Sequence, residues 1–509
     1  MTDKITLGQI LASAPASNKA ITAPDRPDLS YGELASFVER TGGQLRAAGV
    51  GRDDKVAIVL PNGPEMAVSF LATANAAVAA PLNPNYKKDE FSFYMDDLSA
   101  SLLICDDAAG AAAQAAKGLG IQIAVISVDA AAPAGTFTMD IEGDGICPLD
   151  ESRPDDPCLV LHTSGTTSRP KIVPLSQLNV ATSGQNIART LGLVSSDICM
   201  NIMPLFHIHG LIAAVSSTMA AGAEIYCTPG FNALKVFSWL EDCRPSWYTA
   251  VPTMHQAILG RAARNEEIVK NMKLRFIRSS SSSLPPTVMA ELEEVFGCPV
   301  VEAYGMTEAT HQMASNPIGK GTQKPGAVGI AAGPKVAIHD GTGLTTEPDV
   351  IGEICISGAN VTAGYESNEK ANAENFFMDG DERWFRTGDQ GRMDSDGYIY
   401  ITGRLKEIIN RGGEKISPRE VDEVLMEHPA VNQAVTFAVK HPQLGEDVGA
   451  AVVLNEGASA EAKDIRAFAG EKLAGFKVPR QVLILDEIPK GATGKLQRIG
   501  LAKVLGLED

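Results

Sequence analysis

The chain has 509 residues, 44% of them hydrophobic and 21% charged, a globular composition with length enough for about two to four structural units. A formal net charge of −18 argues against nucleic acid and anionic membrane surfaces as partners. No stretch approaches the roughly 18 consecutive apolar residues of a membrane span, so no membrane insertion is expected.

In chain order, the first 150 residues alternate amphipathic helical patterns with short apolar runs. Val56–Leu60, Ser101–Cys105 and Ile123–Ile126 read as strands, and the Ala-rich stretch 107–117 reads as a helix. A Pro- and Asp-rich linker at 148–157 precedes a further strand, Cys158–His162. Strands separated by helices imply a mostly parallel sheet. Beyond about residue 340 the pattern shifts to strand alternation with turn residues, at Gly352–Gly358 and Gly397–Gly403. From Arg404 onward the composition becomes nearly neutral, with 15 basic and 16 acidic residues. The remainder carries almost all the negative charge, and a domain boundary is placed there. The eight cysteines are scattered without a metal-type pair, which fits reduced cytosolic thiols, most of them small buried hydrophobes. The N-terminus lacks the pattern of a secretory leader and the C-terminus is not a peroxisomal address. A cytoplasmic protein is expected.

The strongest local signal follows the strand at 158–162: Thr163-Ser164-Gly165-Thr166-Thr167-Ser168-Arg169-Pro170-Lys171. Small residues let the backbone approach phosphate, and successive N–H groups and hydroxyls wrap an anion. Lys171 adds charge. The Gly-Lys-Ser/Thr ending of the Walker loop is absent. The segment resembles the phosphate loop of the adenylate-forming superfamily of acyl-CoA synthetases, luciferases and peptide-synthetase adenylation domains. Ser168 stands where that family usually has Gly, a departure expected to stiffen the loop and be tolerated.

Four more segments resemble the family in the same order. Glu302-Ala303-Tyr304-Gly305-Met306-Thr307-Glu308 is similar to its adenine and magnesium motif, and Thr387-Gly388-Asp389 to its ribose motif. Gly403-Arg404-Leu405-Lys406-Glu407 followed by Gly412-Gly413-Glu414 resembles its hinge, and Pro489-Lys490-Gly491-Ala492-Thr493-Gly494-Lys495 its C-terminal lysine motif. The resemblance covers essentially the whole chain. It implies an α/β fold: a large N-terminal region, 1–403, with two doubly wound sheets and a β-rich subdomain, and a small mobile α+β domain, 404–509, hinged near Lys406. It also implies ATP, Mg2+ and coenzyme A as ligands.

The residue types suit that chemistry. A carboxylate must attack the α-phosphorus of ATP, anion against anion, so positioning and positive charge must bring them together. By resemblance Glu308 holds magnesium, Thr307 offers a hydroxyl to the α-phosphate, and Tyr304 stacks on adenine beside Glu302 and Ala303. Asp389 accepts from both ribose hydroxyls, Arg404 helps hold the ribose, and Lys495 bridges the incoming carboxylate and the α-phosphate. Gly412 and Gly413 are expected to line the pantetheine tunnel; a tight hairpin turn is their other reading.

The acid pocket of the family is built from segments matching Pro204–Gly210, Arg278–Leu284 and the stretch after Glu308. Here the second is a run of five serines after Arg278, and the third reads Ala309-Thr310-His311-Gln312-Met313. His207, Ser280, Ser281 and His311 are the candidate substrate contacts. Buried donors are costly unless a ligand satisfies them, which favours a small polar acid over an alkyl tail. His207 is often histidine in the family whatever the acid, and so also reads as a pocket gate. Ala314-Ser315-Asn316-Pro317, Lys324-Pro325-Gly326, Asn410–Pro418 and Tyr248–Gln256 resemble the oxalate–CoA ligase branch. Oxalate is therefore the expected acid. Malonate, a fatty acid, a carrier-protein substrate, a luciferase-type oxygenation and a non-catalytic nucleotide-binding module are the rival readings. His162, His255, His339, His428 and His441 read as structural or surface residues. Small molecules are the expected partners.

Overall fold

The computed structural model describes residues 5–143, 145–163, 170–319, 322–489 and 497–507. The chain divides into two compact units: Met1–Thr163, Lys171–Val336 and Ile356–Phe385 form the first, and Ser164–Pro170, Ala337–Cys355 and Arg386–Asp509 the second.

The first unit holds two sheets. In the seven-stranded one, Lys55–Val59 lies between Val78–Pro81 and Leu102–Cys105, parallel to both. Gln122–Ser127 continues the parallel run, and Thr138–Asp140 closes that edge antiparallel. At the other edge Pro157–Thr163 joins Val78–Pro81 in parallel and pairs antiparallel with Lys171–Ser176. Central strands such as Leu102–Cys105 are buried along their whole length, as sheets covered on both faces require. The expected strands at 56–60, 101–105, 123–126 and 158–162 are all present. The Ala-rich helix begins later than its composition implied, at Ala111, after a turn in which Asp107 Oδ1 accepts from Ala109 N–H; Asp favours such local bonds over helix.

The nine-stranded sheet runs Ile330–Ala331, His311–Ser315, Val300–Met306, Phe276–Ser279, Trp247–Ala250, Ile198–Asn201, Glu224–Cys227, Lys19–Thr22, Leu29–Ser30. Its six central strands are parallel, and both edges turn antiparallel. One face packs against the helices Val236–Cys243 and Pro286–Phe296 through Phe237, Leu240, Leu292 and Phe296. The helix Pro64–Ala76 packs on strands of both sheets. Its sequence PEMAVSFLATANA is apolar all round, and every residue but Glu65 is buried, as expected for a helix covered on all sides. In open α/β sheets ligands bind beyond the carboxyl ends of the strands. The serine run and the Thr307-Glu308 segment both sit there, following Phe276–Ser279 and Val300–Met306.

In the second unit Ile338 pairs with Thr345 and Asp389 with Arg404 in antiparallel ladders. A long hairpin, Val431–His441 with Gly445–Leu454, anchors a five-stranded sheet that also takes Ile409–Arg411, Glu414–Ile416 and Gln481–Ile484. Ile416, Val421, Leu425, Val448, Val452 and Ile465 form one core there, with Phe437, Ile488 and Leu501 in another. Ser417 caps the helix Pro418–Met426, accepting from Glu420 N–H, and Pro418 occupies the first turn. The boundary expected at 404 falls within this unit. Among the described residues no helix is long and apolar enough to cross a membrane. All eight cysteines are free; six are buried and Cys243 is partly so, but Cys147 is exposed, contrary to the buried-hydrophobe expectation.

Gly329 has φ +94°, and a Cβ there would lie 1.9 Å from the Ser315 carbonyl carbon. Both the left-handed backbone and the close approach exclude a side chain. Gly329→Ala is expected to destabilise the protein by more than about 1 kcal/mol, read as a lower urea midpoint at unchanged slope. An unchanged midpoint would contradict this packing.

Candidate active site

Thr163 and Lys171 lie opposite each other at the ends of an antiparallel ladder. Ser164, Gly165, Thr166 and Thr167 lie outside the described residues. Lys171 Nζ stands 4.1 Å from the centroid of the Tyr365 ring, and the Tyr365 hydroxyl donates to Glu308 Oε1 at 2.9 Å. Burial and the Glu308 charge push the Tyr365 hydroxyl well above the ordinary tyrosine range. Glu308 is 6% exposed, so its carboxylate is not a solvated surface group. Tyr365 carries no sequence signal of its own. It sits in a loop with no periodic pattern, 57 residues from its partner.

The strand Val300–Met306 leads into a 3₁₀ turn, Thr307–Ala309. Thr310 and His311 then take φ of +49° and +87° and reverse the chain into the strand His311–Ser315. Two consecutive left-handed non-glycine residues are strained and persist only when held. Here Asn360 holds them: its side-chain amide donates to Ala309 O at 2.8 Å and Gln312 O at 3.1 Å, and its backbone carbonyl accepts from Thr310 Oγ1 at 2.7 Å. A Cβ on Gly305 would fall 1.6 Å from His311 O, so only glycine fits opposite the reversal. Glu302 is buried, and its Oε1 accepts from Leu284 N–H at 3.0 Å. Ser280, fully buried, donates to Ala303 O at 2.8 Å. These two bonds tie the serine run to the Glu302–Glu308 segment. Tyr304 and Thr307 follow, half-buried, on the same stretch.

Beside it lies a cluster centred on Arg278, which is 0% exposed. Its register partner on the next strand is Thr249. Arg278 Nη1 lies 3.3 Å from His311 Nε2, 3.4 Å from His209 Nε2 and 3.4 Å from Thr249 Oγ1; Nη2 donates to Gln312 Oε1 at 3.3 Å. The His209 and His311 rings stack at 4.9 Å. His209 Nε2 is 2.6 Å from Thr249 Oγ1, and its Nδ1 is 2.9 Å from Ser281 Oγ. Its backbone N–H donates to His207 Nδ1 at 3.3 Å. His209 opens a π-helical turn, His209–Ser216, a form concentrated at functional sites. Three of the sequence candidates, His207, Ser281 and His311, thus meet here. No sequence signal singles out Arg278 or His209 as a contact, although both lie in segments that match the family's acid pocket. Burial, then Arg278 and neighbouring histidines, holds His209 and His311 well below the usual histidine range. Burial lowers His255 to about 3 and Arg278 to about 9.

In the second unit Asp389 is 5% exposed and accepts from Arg404 Nε at 2.9 Å. Thr387 Oγ1 accepts from Asp389 N–H at 3.1 Å and donates to Ile354 O at 2.8 Å, which anchors the backbone that carries the carboxylate. Lys406 lies in the 3₁₀ turn Leu405–Glu407. Gly412 and Gly413, φ +61° and +100°, form the two-residue turn between Arg411 and its partner Glu414, so the hairpin reading holds. Lys495 lies outside the described residues. Arg498 pairs with Glu407, in the turn that carries Lys406, at 3.2 Å and with Asp422 at 2.6 Å.

The family model for AMP-binding enzymes matches residues 11–366, and that for the AMP-binding enzyme C-terminal domain matches 420–495. The chain belongs to the AMP-binding enzyme family. It is 45% identical over 489 residues to an oxalate–CoA ligase of Arabidopsis thaliana, covering 94% of each chain. It is 41% identical over 524 residues to an oxalate–CoA ligase of Saccharomyces cerevisiae, covering 96% of this chain and 95% of that one. Among solved structures, ATP-bound MatB from Rhodopseudomonas palustris superimposes with a TM-score of 0.87 at 29% identity, over 98% of both chains. The two parallel sheets and the α+β C-terminal region are those of this family.

The lowered histidines give the fold an acid limit. His209, His255 and His311 stay neutral when folded, whereas in the unfolded chain they take up protons near pH 6.5. Below that pH the unfolded state binds more protons, so stability falls with pH, for His255 down to about pH 3. Each such group costs up to about 1.4 kcal/mol per pH unit in that window. Urea midpoints at pH 7.5 and 5.5 should show a clear drop; equal midpoints would mean these histidines are not held neutral.

Proposed function

We propose that the protein ligates oxalate to coenzyme A with the cleavage of ATP. One oxalate carboxylate oxygen attacks the α-phosphorus and pyrophosphate leaves with the electrons of the broken P–O bond. The sulfur of coenzyme A then attacks the acyl carbon, its proton is lost, and AMP leaves as the C–O bond breaks. The observation that carries the choice of acid is the Arg278 cluster. His207, His209, Ser281 and His311 gather beside a buried guanidinium. An alkyl tail would lie against this polar, cationic cluster and bring it no counter-charge, whereas a short acid with a second carboxylate supplies the charge that the cluster lacks. The likeness to two oxalate–CoA ligases above 40% identity over nearly full length supports the same reading.

The remaining assignments belong to this proposal. Thr163, Lys171 and the residues 164–167 hold phosphate, and Glu302, Ala303 and Tyr304 form the adenine side. Asp389 and Arg404 hold the ribose. Magnesium fits Glu308, a buried carboxylate whose Oε1 accepts from Tyr365: the ion favours hard oxygen ligands and one or two carboxylates beside phosphate. It would supply charge neutralisation on the phosphates. Residues 404–509 act as the moving domain, with Lys406 as hinge, and Gly412 and Gly413 border the pantetheine path. A cytoplasmic location fits the eight free thiols.

AMP release that depends on coenzyme A and Mg-ATP, measured across oxalate, malonate, glycolate, acetate, hexanoate and a cinnamate, tests the acid. Oxalate should be strongly preferred, with oxalyl-CoA found by mass. Turnover of another acid with oxalate inert would discard oxalate and keep the ligase. For the lysine, Lys495→Ala should abolish adenylate formation, a loss on the order of 10³-fold, while largely sparing thioester formation from supplied acyl-adenylate. Equal loss of both half-reactions would refute its bridging role.

A further inference from the structure

Arg278 is an unusual residue to find on a central strand of a parallel sheet. It is 0% exposed, and no carboxylate among the described residues pairs with it. Its Nε has no hydrogen-bond partner among them either. Its one charge-stabilising titratable neighbour is Cys199, itself a buried thiol. Leaving a cation in a protein interior without a counter-charge costs several kcal/mol, and nothing in the packing of the sheet requires a charge at this position.

What the guanidinium does is set the protonation of two imidazoles. Arginine donates only, so a ring nitrogen facing Nη1 must present its lone pair. The Nε2 atoms of His209 and His311 both face Nη1. Nη1 has two protons: one goes to His311 Nε2 and the other to Thr249 Oγ1, and Thr249 turns its own proton to His209 Nε2, 2.6 Å away. With Nε2 occupied as an acceptor, each ring carries its proton on Nδ1. In His209 that proton points to Ser281 Oγ at 2.9 Å. In His311 it lies on the side of Gly305: His311 Nδ1 would be 3.1 Å from a Cβ on that glycine. The titratable groups that act on His209 are His311, Arg278, His207 and His255, and those on His311 are Arg278 and His207. All are neutral or cationic, so none draws a second proton onto either ring.

We propose that Arg278 is the positioning residue of the acid pocket: it fixes His209 and His311 as Nδ1–H tautomers, a preset pair of donors, and its unneutralised charge selects an acid that keeps a second negative charge after adenylation. This deepens the reading of the acid as oxalate and rests on it for the second half. Ser281 becomes the relay in the arrangement. Once it accepts from His209 Nδ1, its own hydroxyl proton is turned outward from the exposed loop position it occupies. A monocarboxylate, neutral at its far end once adenylated, would leave the guanidinium without a counter-charge.

The test uses the full-length protein labelled with ¹⁵N-histidine, without ligand. Long-range ¹⁵N–¹H spectra report the tautomer of each ring, with His209→Gln and His311→Gln to assign the two signals. Both rings should be Nδ1–H and stay neutral well below the ordinary histidine range. In Arg278→Met both should populate Nε2–H and titrate at higher pH, while Arg278→Lys, which keeps a cation and protects against loss of fold, should hold one ring and release the other. In kinetics Arg278→Met should raise KM for oxalate by roughly tenfold or more, from the loss of the charge and of the preset donors, leave KM for ATP unchanged, and narrow the preference for oxalate over glycolate; Arg278→Lys should fall between. Unchanged tautomers in both folded variants would overturn the proposal, as would equal losses for oxalate and glycolate. If wild-type protein fails to turn over oxalate, the acid assignment fails, and the spectra still decide the role of Arg278.

Discussion

The cost of taking a guanidinium out of water without a carboxylate governs the arrangement around it. Arg278 is surrounded by groups that accept without bearing charge: two imidazole nitrogens, a threonine oxygen and the Gln312 amide oxygen, all at 3.3–3.4 Å. An aspartate or glutamate in any of these places would neutralise the cation and bind it more tightly. It would also remove the reason for an anion to enter. The stability given up at one strand position is recovered when a ligand brings the missing charge, which is how a site stays empty of its own protein's carboxylates in a chain that carries 62 of them.

Holding that cluster in place falls to the antiparallel edge of the large sheet. His311 reaches Arg278 only because the chain reverses through two left-handed residues directly after the turn that carries Glu308. Asn360 ties the reversal from three sides, and Gly305 gives it room. Glu308 therefore sits on the same short turn that aims His311, and Tyr365 links Glu308 to the neighbourhood of Lys171. A displacement of this turn would move the candidate metal ligand and the candidate acid contact together. The phosphate chemistry and the acid specificity are thus mechanically joined within one short stretch, 305–311.

Much of this was legible before any coordinates. The strands of the first unit announced themselves as apolar runs bounded by Gly, Pro and Asn, because buried parallel strands cannot hide their composition. The family was legible because five segments that resemble its motifs stand in its order along the chain. Arg278 was not. In Phe276-Ile277-Arg278-Ser279 a charge at one position of an alternating strand reads as the outward face of a half-exposed sheet. Its burial comes from partners far away in sequence, His209 at the start of the π-helical turn 69 residues before it and His311 33 residues after it. Tyr365 was hidden for the same reason, since its meaning lies in Glu308 and not in its neighbours. The compact second unit takes in Ala337–Cys355 as well, a grouping set by packing that no composition shift announces.

The charge distribution gains a sense from the buried cation. A chain of net charge −18 would be a poor host for ATP, coenzyme A and a dicarboxylate if its overall field decided the matter. Surface charges are screened over about 8 Å at physiological ionic strength, and most of the acidic residues are on the surface. Arg278 is inside, where the effective dielectric is lower and mobile ions do not reach, so its attraction is undiminished at short range. A guanidinium in the core therefore outweighs many solvated carboxylates for a ligand that has already arrived. The surface field then acts as a filter on approach, opposing every anion alike, and discrimination is left to the interior, where one charge without a partner distinguishes an acid with two carboxylates from an acid with one.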